Sequence, residues 1–187
     1  MEWYSTVVTR EDLEAVSAAG VTHVRIPVGY WYWHVVDGEP FPPPNTDEAD
    51  DYNPLFYLRR ALGWIDELSM KALIDLHAGP GQSPRISLKN LKIFVQSGSQ
   101  NGFDNSGRRG EVNWVSEEYP EDNANVARTI VIQDLISATM ARWIEEGVMA
   151  RSTLYGVSLL NEPAGWWDKV WSACTDEFYP GGYNAVR

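Results

Sequence analysis

At 187 residues, 44% hydrophobic and 22% charged, the chain is long enough for one globular domain with a real core. Its net charge of −11 and pI near 4.6 argue against nucleic acid or an anionic membrane as partners, and admit neutral ones such as sugars. No apolar run is long enough to span a bilayer.

Taken in chain order, Thr9 followed by Asp12 has the pattern of a capping box. Leu13, Val16 and Ala19 then fall at helical spacing, and Gly20 is a natural stop. A short strand is predicted at 21–27, VTHVRIP. Residues 30–52 read as a loop, rich first in aromatics and then in proline (Pro40, Pro42, Pro43, Pro44) and acids. Asn53-Pro54 opens a second helix as N-cap and first residue, with an apolar stripe at Leu55, Leu58, Leu62, Ile65 and Leu68. A second strand is predicted at 72–77, followed by an irregular stretch to about residue 122. Asn123 or Asn125 then caps a third helix, whose stripe includes Val126, Ile130, Ile136, Met140, Trp143 and Ile144, and Gly147 ends it. A third strand is predicted at 154–161. Pro180-Gly181-Gly182 is predicted to break the last helical region, leaving a segment at 183–187.

Strands separated by whole helices imply parallel pairing. Arg25, His77 and Glu162 each fall at the predicted C-terminal end of a strand, the edge that carries the site in α/β barrels and open α/β sheets. The most informative stretch is Ser158-Leu159-Leu160-Asn161-Glu162-Pro163, where an apolar run ends in an amide, a carboxylate and a proline. A carboxyl group at an apolar strand mouth has its pKa raised by desolvation, as a general acid near neutral pH requires. Asn161 offers a donor and an acceptor to a substrate hydroxyl. The alternative is a plain strand end and turn with Glu162 in water. Nine Trp and nine Tyr can stack on sugar rings, although large aromatics more often build the core. Cys174 is the only cysteine, so no internal disulfide forms, and no Cys/His spacing suggests zinc.

Four blocks resemble the exo-β-1,3-glucanase branch of glycoside hydrolase family 5. They are His23-Val24-Arg25-Ile26-Pro27 with Gly29-Tyr30-Trp31, Ile74-Asp75-Leu76-His77, the string SQNGFDNSGRRG at 99–110, and Leu159-Leu160-Asn161-Glu162-Pro163. The glycine-rich string is the most specific of them. The resemblance implies a (β/α)8 barrel and retaining hydrolysis of β-glucan, with Glu162 as general acid/base. It implies that Asn161 holds the sugar 2-hydroxyl and that Arg25 orients the nucleophilic carboxylate. His77 would bond a sugar hydroxyl or a site carboxylate, Phe103 would form an aromatic clamp, and Asp104 and Asn105 would lie near the sugar subsites. No metal or organic cofactor is implied. By the same resemblance the location is extracellular or at the cell surface, although Met1-Glu2-Trp3-Tyr4 opens no visible signal peptide. On the residues alone, Arg25 also reads as a buried structural ion pair, His77 as a satisfied core histidine, and Phe103 as loop packing. Asp75 is expected to make internal hydrogen bonds.

The chain departs from the family in two places. A complete barrel needs eight strands and ~250 residues, whereas three strands are predicted here. The chain therefore reads as a partial barrel, from the first helix to the helix after the fourth strand, with the nucleophile beyond Arg187. Such a piece is expected to be inactive alone and, with open strand edges, prone to aggregation. The second departure is residues 82–98, which interrupt the family pattern with Arg85, Lys89 and Lys92 and no acid. They resemble an unspliced in-frame intron or a loop insertion in which 86–94 forms a small strand or helix. The rival to a hydrolase is a non-catalytic carbohydrate-binding remnant of the same barrel. An open doubly wound sheet lacks support, since no GxGxxG follows any strand.

Overall fold

A computed structural model describes residues 7–36, 41–45, 47–48, 52–80, 87–88, 91–92, 114–115, 124–163 and 168–187. Helix α1, Arg10–Ala18, starts where the sequence predicts: the Thr9 side chain accepts from the Asp12 N–H, and Asp12 answers with a 2.9 Å bond from the Thr9 N–H. Strand β1, His23–Gly29, runs into a short 3-10 turn, Tyr30–Tyr32. Helix α2, Pro54–Glu67, is capped by Asn53, whose Oδ1 accepts from the Leu55 N–H at 2.9 Å. Strand β2 is Lys71–Ala78, and helix α3 is Ala124–Glu145. Between them, β3 (Ser87–Leu88) and β4 (Leu91–Lys92) pair antiparallel within the segment expected to be inserted. Strand β5 is Leu154–Ser158.

The last helical region differs from expectation. Helix α4, Asp168–Ala173, passes through a π turn, Cys174–Phe178, directly into α5, Tyr179–Val186, so Pro180-Gly181-Gly182 lies inside a helix. The π turn displaces the register just before Pro180, where an α-helix would need an N–H that proline lacks. The glycines also permit close packing. A Cβ on Gly181 would stand 2.6 Å from Ile130 Cδ1 on α3, and one on Gly182 would stand 3.2 Å from Leu159 Cδ2. Tertiary contact here overrides weak helix propensity.

The main sheet has the order β1-β2-β5, all parallel, with Pro27, Asp75 and Ser158 in register across it. The strand boundaries differ from the sequence reading, and β2 is longer than 72–77 by one residue at each end. β1 begins and ends two residues later than 21–27, and β5 stops at Ser158 rather than at 161. One face buries Val28, Ala72, Ile74 and Leu76 against Leu13 of α1, Leu55, Leu58, Leu62 and Ile65 of α2, and Ile132, Ile136, Met140 and Trp143 of α3. Burial of each such side chain is worth roughly 1.5–3 kcal/mol. A second cluster packs Trp114 edge-on against Phe178, with Val126 and Val170 beside them. The opposite sheet face is exposed at His23, Arg25 and Pro27 of β1 and at Tyr155 of β5. Of the tryptophans, Trp114 and Trp143 are core, as expected for large aromatics, and Trp171 is exposed.

Candidate active site

The open face of the sheet carries a polar network centred on a residue that the sequence suggested only as a maker of internal hydrogen bonds. Asp75 of β2 is fully buried. Its Oδ1 accepts from Ser158 Oγ at 2.6 Å, and its Oδ2 takes Arg25 Nη2 at 2.9 Å and His77 Nδ1 at 2.8 Å. A carboxylate offers only acceptors, so the bond to His77 puts the imidazole proton on Nδ1 and fixes the tautomer. Period-2 alternation explains the grouping: Asp75 and His77 share one face of β2, and the parallel register sets Ser158 beside Asp75. A register shift between Val28 and Gly29 leaves His77 without a Cα partner on β1, an irregularity of the kind found beside active sites.

Arg25 is not at the end of its strand as predicted. It is the third residue of β1, and its long side chain reaches along the sheet to the strand ends, where the same Nη2 also bonds Asn161 Oδ1. Its side chain is 52% exposed while Asp75 beneath it is fully buried. The ion pair expected of Arg25 thus forms with Asp75, but it is buried on the carboxylate side only. His77, 26% exposed, sits at the second-last position of β2.

Asn161 is 7% exposed, its N–H donates to the Leu76 carbonyl at 2.9 Å, and its side chain meets Arg25. Glu162 follows, four residues past the end of β5. Its backbone has φ +41, one of two positive-φ non-glycine residues among those described. Such a conformation is uncommon for a side chain of this kind, costs on the order of 1–3 kcal/mol, and collects at functional sites. The carboxylate is exposed, so the apolar enclosure expected around it is not formed by the described residues. Phe103, Asp104 and Asn105 lie outside the described residues. Among the described residues no group of three or more His, Cys, Asp or Glu could hold a metal ion, and no helix is long and apolar enough to cross a membrane.

The network therefore gathers Arg25, His77 and Asn161 at one mouth of the sheet, with Asp75 as the anion that holds Arg25 and His77, Asn161 joined through Arg25, and Glu162 next in the chain. Ser158 and Asp75 join this set without having been singled out for it. The i, i+2 spacing of Asp75 and His77 was the available signal.

No protein-family model matches the chain. It is 31% identical over 189 residues to a glucan 1,3-beta-glucosidase of Pichia angusta, and 30% identical over 184 residues to one of Blumeria graminis. It is 32% identical over 163 residues to glucan 1,3-beta-glucosidase 1 of Schizosaccharomyces pombe. These alignments take in 100%, 98% and 87% of the chain. The chain is homologous to the glucan 1,3-beta-glucosidases. It spans about a third of their length: 34%, 34% and 31% of the three relatives. Among solved structures it resembles rutinosidase from Aspergillus niger, with a TM-score of 0.58 and 19% identity over 86% of this chain and 35% of the other. It also resembles AoRut, with a TM-score of 0.57. At that identity the likeness speaks for the fold alone: a mixed α/β arrangement with a small parallel sheet.

Proposed function

We propose that this chain is the acid/base-bearing part of a retaining β-glucan hydrolase, with β-1,3-glucan as the favoured substrate. The observation that carries the reading is Glu162, held in left-handed backbone at the strand mouth, directly after an Asn161 anchored by Arg25. Homology to glucan 1,3-beta-glucosidases along the whole chain supports the substrate class. The sheet supports an arc of a (β/α)8 barrel: strands follow chain order and the helices contribute to one covered face, whereas a doubly wound sheet covers both. Residues 82–98 are an unspliced in-frame intron or an insertion within that unit, and the extracellular or cell-surface location rests on the same resemblance.

In this mechanism Glu162 protonates the departing glycosidic oxygen and then takes a proton from the incoming water. Asn161 is placed to bind the sugar hydroxyl next to the reacting carbon. Arg25 already spends Nη2 on Asp75 and Asn161, so its orientation is set before substrate arrives. His77 is set likewise through Nδ1. Phe103, Asp104 and Asn105 complete the sugar contacts in this reading. A retaining enzyme needs a second carboxylate roughly 5 Å from Glu162.

The test is Glu162→Gln in the protein expressed from the complete reading frame that contains this chain. Turnover of β-1,3-glucan should be lost while binding is kept. A variant that hydrolyses glucan at the wild-type rate refutes the assignment. A complete wild-type protein that binds β-1,3-glucan and releases no sugar makes it a binding remnant.

A further inference from the structure

Gln133 lies midway along α3, fully buried, between Ile132 and Ile136 of the helix face that packs on the core. An amide there is costly unless it is needed. Its Nε2 donates to two consecutive backbone carbonyls, that of Ser158 at 3.2 Å and that of Leu159. Carbonyls accept only, so the nitrogen must be the end that faces them. The same side chain leaves its Oε1 buried without a hydrogen-bond partner among the described residues. A polar group retained at that cost calls for an explanation.

The place of those carbonyls supplies one. Ser158 is the last residue of β5 and Leu159 the first to leave the sheet. The chain is pinned again at Asn161, by Leu76 and by Arg25. Glu162 comes next, and no hydrogen bond or ion pair to a described residue holds its carboxylate. Its position is therefore inherited from the path of 158–161, which Gln133 fixes from the helix side and Arg25 from the open side.

We propose that Gln133 is a positioning residue for the acid/base Glu162, acting through the backbone of residues 158–161. This rests on the acid/base reading of Glu162. Loss of proton donation has a signature that loss of fold does not: it slows departure of poor leaving groups and spares good ones. The probes are 2,4-dinitrophenyl β-glucoside, whose leaving group needs no proton, and 4-methylphenyl β-glucoside, whose leaving group does. Both are assayed as kcat/KM in the complete protein.

Gln133→Ala should lower kcat/KM for the methylphenyl substrate about tenfold or more, a part of the ~10²–10⁴ that a general acid contributes. The dinitrophenyl substrate should change less than about twofold, within the same account of acid catalysis. An equal fall for both substrates, or no fall for either, overturns the proposal. Glu162→Gln is run beside it. If Glu162→Gln shows the leaving-group dependence and Gln133→Ala does not, only the positioning role fails. If Glu162→Gln shows none, the acid/base reading fails and takes the positioning role with it. Gln133→Glu keeps the proposal testable if the alanine variant does not fold. When ionised it can only repel the two carbonyls, and when protonated it can donate to one. Its methylphenyl rate relative to wild type should rise as pH falls, and a flat ratio counts against the proposal.

Discussion

Arg25 and Asp75 form an asymmetric pair, and the asymmetry predicts which loss costs more. Asp75 is fully buried, whereas the Arg25 side chain is 52% exposed. In Arg25→Met the buried carboxylate keeps His77 and Ser158 as donors but loses its cation. Breaking a buried pair from one side costs about 3–5 kcal/mol. Solvent at the half-exposed guanidinium and the two surviving donors reduce this to about 2–3 kcal/mol. In Asp75→Asn the amide oxygen can accept from Arg25 and His77 while Nδ2 donates to Ser158 Oγ, which can turn to accept. Charge assistance is lost, but so is the cost of burying an anion, and the net is about 1 kcal/mol or less. Removing the exposed cation should therefore destabilise more than neutralising the buried anion. The double variant should resemble Asp75→Asn alone, giving a coupling energy as large as the Arg25→Met cost, about 2–3 kcal/mol. Urea unfolding of the complete protein, followed by tryptophan fluorescence, measures all three. Additive single effects, or Asp75→Asn as the worst variant, would refute the reasoning.

Asn53 is 1% exposed and serves three masters: it caps α2 and donates to the Asn45 carbonyl at 2.8 Å and the Asp47 carbonyl at 3.0 Å. Asn53→Ala should cost about 2 kcal/mol, the upper end for a lost N-cap, read as a shift in the urea midpoint. Glu48 is held below the ordinary glutamate range. Burial pushes it up, but bonds from Arg142 and from Trp143 Nε1, the latter at 2.8 Å, outweigh that. A depressed folded pKa contributes stability that is present above the unfolded pKa and lost as pH falls through the folded value. The stability gap between wild type and Glu48→Gln should thus be full at neutral pH and close on acidification below the glutamate range. A gap that widens in acid contradicts the sign.

Much of the helical framework was legible because the signals are local. Thr9 with Asp12, Asn53 with Pro54, and the left-handed Gly20 (φ +91) and Gly147 (φ +73) act within a few residues of themselves. The same local reading failed at Pro180-Gly181-Gly182, where packing on Ile130 and Leu159 and a preceding π turn carry the helix through. It also misplaced the strand ends, because those are set by pairing with a neighbour. At the site, apolar runs ending in polar residues pointed to Arg25, His77, Asn161 and Glu162. The sequence could not say that one buried carboxylate, Asp75, holds Arg25 and His77 and reaches Asn161 through Arg25.

What the sequence by itself determined is the alternation of helix and strand, the polar residues at the strand mouths and the family they resemble. Only the tertiary structure decided that Arg25 reaches Asn161 across 136 residues of chain, that Ser158 meets Asp75 across 83, and that Gln133 holds the carbonyls of Ser158 and Leu159. Hydrogen bonds of that span depend on strand register and helix placement. Those are settled by burying a common core, and no short window of sequence contains them.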